Sequence, residues 1–230
     1  MTHPNVKKVS FGIMCGRLSP ALDPSIVQIF PVHNWQQEFL VYERLGINRI
    51  EWVLDATTVE HNPLFQDREE IKKLCDKHGI TVSSLMAHLF IEKHMFEGDQ
   101  AATLILMEKI FEACQDLQVK LVEFPFFENS SLSKFFDQDQ LVDFIKDKVV
   151  PLAEKYKVMI SLETDLSPQV FAQLLQRIDH PLVKVTLDTG NSAALDYDVG
   201  EEINLLKEWL VNVHIKDKDA ENQSVPLGQG

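Results

Sequence analysis

Seven short apolar, β-branched runs punctuate the chain, at Val9–Cys15, Arg49–Leu54, Thr81–Ala87, Lys120–Phe126, Val158–Glu163, Val183–Asp188 and Leu210–Ile215. Runs of this length and composition predict buried strands. Between them the apolar positions fall at helical spacing, which predicts helices over Trp35–Leu45, Asp67–His78, Gln100–Leu117, Gln138–Tyr156, Pro168–Ile178 and Glu201–Trp209. The end signals agree. Gly46 and Gly79 stand where a left-handed cap needs no Cβ. Ser167 followed by Pro168 reads as an N-cap with proline at the first helical position. Asp198 and Glu201 have capping-box spacing, with Asp in place of Ser or Thr. Pro151 lies inside a helical pattern and predicts a kink or a split there.

Strands alternating with helices predict a parallel sheet with right-handed crossovers. A doubly wound nucleotide fold would put a glycine-rich turn after its first strand, and FGIMCGRLSP offers only two isolated glycines. The even spacing favours a (β/α)₈ TIM-barrel fold, as one domain over residues 1–230. Loop length points to one face. The strand-to-helix segments Gly16–Asn34, Asp55–Gln66, His88–Asp99 and Phe127–Asp137 are long, whereas the helix-to-strand segments are short. In a barrel the long set builds the active face, so a ligand site is expected there. By the same spacing the eighth strand and its helix would fall past Gly230. The expectation is therefore a C-terminally incomplete barrel with two unpaired edges, which leaves a homo-oligomer open.

Composition narrows the partners. A net charge of −13 repels phosphodiester backbones, so nucleic acid is not expected to bind. No apolar run approaches the roughly 20 residues of a membrane span. The start, MTHPNVKKVS, lacks the apolar core of a secretory signal, and a cytoplasmic protein is expected. Cys15, Cys75 and Cys114 are odd in number and widely spaced, which reads as reduced, packed thiols rather than a zinc site.

Three runs close on a metal-ligating residue: VMISLET on Glu163, VTLDTGN on Asp188 and VNVHIKD on His214. Adjacent strands lie about 5 Å apart, so three such ends can converge on one ion. Any one of them alone is an ordinary polar residue at a wet strand end, but three in register favour a site. Two carboxylates and an imidazole suit Mn²⁺, Mg²⁺, Co²⁺ or Zn²⁺. Arg17, directly after the first strand, is either a fork for a phosphate or carboxylate or a salt bridge at the mouth. His88, after the third strand, is a ligand-facing group or a structural histidine. Glu123 either faces the lumen or sits in a buried ion pair. The aromatics of FPFF read as core and lid packing.

GIMCGRLSP, RIEWVLD, SLETD, VTLDTGN, VHIKD and PLGQG together resemble the sugar phosphate isomerase/epimerase group of the xylose-isomerase-like TIM barrels, from Phe11 to Gly230. The resemblance implies a divalent ion held by Glu163, Asp188 and His214, with a second glutamate from an eighth strand. It implies an isomerase or epimerase acting on a small sugar or sugar phosphate by proton transfer next to a carbonyl, with Glu163 as one acid/base. It further implies substrate contacts at Glu51 and Trp52, although only one of two adjacent strand residues can point into a barrel. Asn191 is expected on a sugar hydroxyl, and Lys216 either orients substrate or is solvated. Two readings stand beside this one. The first is a non-catalytic barrel used as a binding or interaction module. The second is an abasic-site endonuclease, which needs more histidines and a basic groove than this chain offers.

Overall fold

The computed structural model describes residues 10–20, 28–92, 95, 98–134, 138–219 and 223–230. All seven expected strands form: β1 (Ile13–Met14), β2 (Arg49–Val53), β3 (Thr81–Met86), β4 (Leu121–Phe126), β5 (Met159–Thr164), β6 (Val183–Asp188) and β7 (Leu210–His214). They pair in chain order and every pairing is parallel. The first strand is shorter than expected, and Val9 lies outside the described residues. The sheet is rolled, since the imidazole of His214 on β7 reaches the carboxylate of Glu51 on β2 at 2.8 Å. Among the described residues no strand bridges β1 and β7, so the structure is an incomplete (β/α)₈ barrel.

The helices are α1 (Trp35–Leu45), α2 (Pro63–Gln66), α3 (Arg68–His78), α4 (Leu89–Glu92), α5 (Gln100–Asp116), α6 (Gln138–Phe144), α7 (Val150–Tyr156), α8 (Pro168–Ile178), α9 (Thr189–Ala194) and α10 (Val199–Leu206). A small antiparallel pair, β8 (Asp217–Lys218) with β9 (Ser224–Val225), folds the tail back. There Asp217 Oδ2 accepts the Gly228 amide at 2.7 Å and ties down the glycine turn. No helix among the described residues is long and apolar enough to cross a membrane.

Local chemistry accounts for the boundaries. Gly46 and Gly79 take left-handed conformations at the ends of α1 and α3. Asp198 caps α10 by accepting the Glu201 amide at 2.7 Å. Ser167 precedes α8 as expected but makes no side-chain cap bond, so Pro168 and the backbone start that helix. The kink expected at Pro151 takes the form of a π turn over Ile145–Val149, between α6 and α7. Proline has no amide hydrogen and crowds the carbonyl four residues back, and a wider turn relieves both. The last expected helix stops at Leu206 rather than Trp209. β7 starts at Leu210, so residues 207–209 must reverse the chain and cannot stay helical.

Alternation along the strands sorts the side chains into two environments. Ile50, Trp52, Val122, Phe124, Ile160, Leu162, Val185 and Leu187 are buried in the apolar layer. The opposite parity places Glu51, Ser84, Glu123, Ser161, Glu163, Thr186 and Asp188 inside the roll, also buried. On β7 the outer residues Val211 and Val213 stay 43% and 42% exposed, so no described helix covers that face.

Candidate metal centre

Glu163 is the penultimate residue of β5, while Asp188 and His214 end β6 and β7. Asp188 and His214 are direct register partners, and this levelling depends on an irregularity in the ladder. Val185 pairs with Leu210 but Thr186 pairs with Asn212, so Val211 is the extra residue of a bulge. One residue of slip puts His214 on the inner face beside Asp188. The Nδ1 atom of His214 then lies 3.6 Å from Glu163 Oε2 and 3.9 Å from Asp188 Oδ2.

Each carboxylate has one oxygen fixed by the protein and one presented to the others. Asp188 Oδ1 accepts the amides of Gly190 and Asn191, at 2.9 and 2.8 Å, as the N-cap of α9. Its Oδ2 is 2.9 Å from Lys216 Nζ. Glu163 Oε1 accepts from Asn191 Nδ2 at 2.8 Å, whereas Oε2 is buried and meets no donor among the described residues. A buried acceptor without a donor costs free energy that a cation there would remove. The donor set and the orphaned oxygen fit a divalent ion. LDTGN and HIKD interlock: Thr189 Oγ1 donates to the Lys216 carbonyl and accepts its amide, both at 3.1 Å. A Cβ at Gly190 would meet Lys216 Cβ at 3.1 Å, so a larger residue could enter this close crossing only if Lys216 shifted.

A second polar layer lies on the other side of the imidazole. His214 Nε2 is 2.8 Å from Glu51 Oε1 and 3.7 Å from Glu123 Oε2. Glu51 Oε2 accepts from Ser84 Oγ at 2.6 Å and Asn212 Nδ2 at 3.2 Å. Ser161 and Thr186 bond through their hydroxyls at 2.8 Å. Barrel interiors are ordinarily packed with Val, Ile and Leu, so this hydrophilic interior is a specialised feature. Its electrostatics follow from four carboxylates around one ring. Burial opposes a charge on His214, but Glu123 and Glu51 outweigh it and raise the imidazole well above its ordinary value. Burial likewise pushes Glu51 and Glu163 up, and the contacts with His214 bring both below the usual carboxylate range. Glu123 is fully buried, and desolvation holds it well above that range.

The remaining candidates are distributed unevenly. Glu51 faces inward against His214. Of the adjacent pair Glu51 and Trp52, Trp52 is the one that packs: it is 1% exposed, donates to Asn62 Oδ1 at 3.0 Å, and lies against Phe30 and Trp35. Strand alternation sends it into the helix layer because its neighbour Glu51 takes the interior. Asn191 and Lys216 both join the cluster, Lys216 Nζ also reaching Asn191 Oδ1 at 3.4 Å. Arg17 is exposed on the loop after β1, which buried Glu38 pins through the amides of Gly16 and Leu18, at 2.8 and 3.0 Å. His88 sits just past β3, and burial lowers it below its ordinary value; its buried Nδ1 meets no partner among the described residues. Glu123 lies inside the roll. Sequence reasoning missed Asn212 and Ser84, although Asn212 stands two residues before His214 and period-two alternation puts both on one face. It also missed the loop anchors Glu38, Asp55 and Asp165. Asp55 accepts the amides of Phe30, Thr57 and Thr58, all at 2.9 Å, and Asp165 accepts those of Leu132 and Ser133 at 3.1 and 3.2 Å.

A rolled parallel sheet with long loops and a carboxylate–imidazole cluster at its C-terminal rim defines a TIM-barrel-type α/β protein. The chain belongs to the xylose isomerase-like TIM barrel family, whose sequence model matches residues 39–230. It is 22% identical over 165 residues to a 2-epi-5-epi-valiolone 7-phosphate 2-epimerase from Actinoplanes sp.. That match covers 70% of this chain and 60% of the relative, so the chain spans about three-fifths of the length of the curated protein it resembles. Among solved structures, D-psicose 3-epimerase with D-tagatose from Clostridium cellulolyticum H10 superposes with a TM-score of 0.64 at 18% identity, covering 80% of this chain and 68% of that one. A xylose isomerase-like TIM barrel protein from Mycobacterium smegmatis in complex with magnesium gives 0.59 at 18% identity, covering 87% and 74%.

Proposed function

We propose that this chain is a divalent-metal-dependent isomerase or epimerase of a small sugar or sugar phosphate. The observation that carries the reading is the convergence of Glu163, Asp188 and His214 from three adjacent strand ends, each with an atom turned toward the others. Glu163 Oε2, Asp188 Oδ2 and His214 Nδ1 would hold the ion. When bound, it supplies positive charge beside a substrate carbonyl and makes the neighbouring C–H more acidic. The epimerase relatives and the sugar named in one of them support the substrate class.

The chain's own residues account for positioning and proton handling. Asn191 fixes the Glu163 carboxylate by one oxygen and so aims the other at the cluster. Held in this way, Glu163 is the group we assign to take or return the proton. Glu51 takes the Nε2 side of His214, so in the neutral ring that binds an ion the Nδ1 lone pair would face Glu163 and Asp188. Arg17 stands on an anchored loop at the same rim, where its planar fork suits a phosphate. The second acid/base that the resemblance places on an eighth strand is not among the described residues.

The test is solvent exchange. Metal-loaded protein is incubated in D₂O with a panel of ketoses and ketose phosphates, and deuterium next to the carbonyl is followed by NMR. Exchange that disappears in Glu163→Gln is the expected result; no exchange across the panel with metal bound would overturn the reading. A second reading, a barrel used for association, is favoured by exposed Val211 and Val213 and by the outer edges of β1 and β7, which pair with no strand among the described residues. Its check is the solution mass, and a monomer at every concentration would dismiss it.

A further inference from the structure

The imidazole of His214 has two nitrogens, and each meets its own pair of carboxylates. We propose that its Nε2 side is a second divalent-cation position, formed with Glu51 of β2 and Glu123 of β4 and occupied in alternation with the position at Glu163 and Asp188. The ligand atoms of Glu51, Glu123 and His214 all lie within 4.8 Å of one another, as do those of the first trio. The independent sign of a ligand is Glu123 itself. It has no exposed surface, and its Oε1 meets no donor among the described residues. A buried carboxyl oxygen without a partner costs free energy, and a cation beside it would remove that cost.

The surrounding groups fit that role. Ser84 and Asn212 hold Glu51 by Oε2 and leave Oε1 turned to the ring. Alternation follows from the chemistry of imidazole, which in its neutral form has one lone pair. An ion on Nδ1 leaves the Nε2 hydrogen for Glu51 Oε1. An ion on Nε2 leaves the Nδ1 hydrogen directed toward Glu163 Oε2. Whichever pair lacks the ion becomes the outer carboxylate that orients the ring. The inference stands apart from the isomerase reading, because the binding is read with no substrate present.

The experiment removes the first position and asks what remains. Chelator-stripped Glu163→Gln/Asp188→Asn protein is titrated with Mn²⁺, and the free ion is followed by electron paramagnetic resonance. One Mn²⁺ per chain is expected, bound no more than about 100-fold more weakly than in the unaltered protein, and adding Glu51→Gln should weaken it at least about tenfold further. A folded double variant that binds no Mn²⁺ would overturn the proposal. Binding that ignores Glu51→Gln would overturn it too, because it would reflect only the general attraction of an acidic chain. If circular dichroism shows that the double variant does not fold, Asp188→Asn alone carries the same criteria. Failure of the isomerase reading would appear separately, as absent deuterium exchange in the unaltered protein.

Discussion

Lys216 should compete with the metal, and removing its charge should tighten binding. Asp188 has a single oxygen to offer, because Oδ1 is committed to two backbone amides. That remaining Oδ2 is the atom the lysine ammonium holds at 2.9 Å. A divalent ion on Oδ2 with the ammonium left at about 4 Å would feel a repulsion of about 8 kcal/mol at an effective dielectric near 20. The lysine therefore has to leave, and its 34% side-chain exposure gives it a route to solvent. The cost then falls to the lost ion pair, roughly 1 kcal/mol for a partly exposed pair. A residual repulsion adds roughly 1 kcal/mol at about 8 Å in water. Lys216→Met keeps the stem and removes both, so Mn²⁺ affinity should rise by roughly 10- to 30-fold. Calorimetric titration of stripped wild type and variant measures it, and the gain should shrink in high salt. Unchanged or weaker binding in a folded variant would refute the competition and leave Lys216 free for a substrate role.

Two further outcomes follow from the packing and the charges. Trp52→Ala deletes a side chain that is 1% exposed and packed tilted on Phe30 and edge-on to Trp35, and it should cost about 3–5 kcal/mol by urea unfolding. Mn²⁺ binding per folded molecule should not change; a loss at the ion would return Trp52 to the site. The metal-free protein should also lose stability as pH rises. His214 is raised in the folded state, so its contribution is full below about 6.5 and disappears as pH climbs through the folded value. Raised Glu123 acts in the same direction from about pH 4.3 upward. Glu51 and Glu163, both lowered, contribute above about pH 4.3 and lose that contribution only in acid. Melting temperatures of chelated protein should therefore fall from pH 6 to 9. A flat or rising profile over that range would contradict the clustered charges.

The fold was legible because each of its signals is local. Strand runs, helical spacing and the glycines at 46 and 79 report on a few neighbouring residues, and the structure places every expected strand and helix. What escaped was set at longer range. Trp209 has helical neighbours in sequence, yet the start of β7 at Leu210 compels a turn. Which of Glu51 and Trp52 points inward was not legible, because adjacent strand residues take opposite faces and nothing local says which one does so. That choice depends on Glu51 finding His214, 163 residues away.

The site divides along the same line. Glu163, Asp188 and His214 could be named because each closes an apolar run, but their common level could not. It depends on a slip between Val185 and Thr186 in the β6–β7 ladder, a property of pairing that no single strand carries. Without that slip Val213 would stand beside Asp188 on the inner face, His214 would turn outward, and Glu51 and Glu123 would stand buried with no positive partner. The bulge therefore does two things at once. It completes the cluster at the rim, and it brings the one imidazole that the inner glutamates need. Chemistry and stability of this barrel meet at His214, which is why the charged interior extends a full layer beneath the ligands read from the sequence.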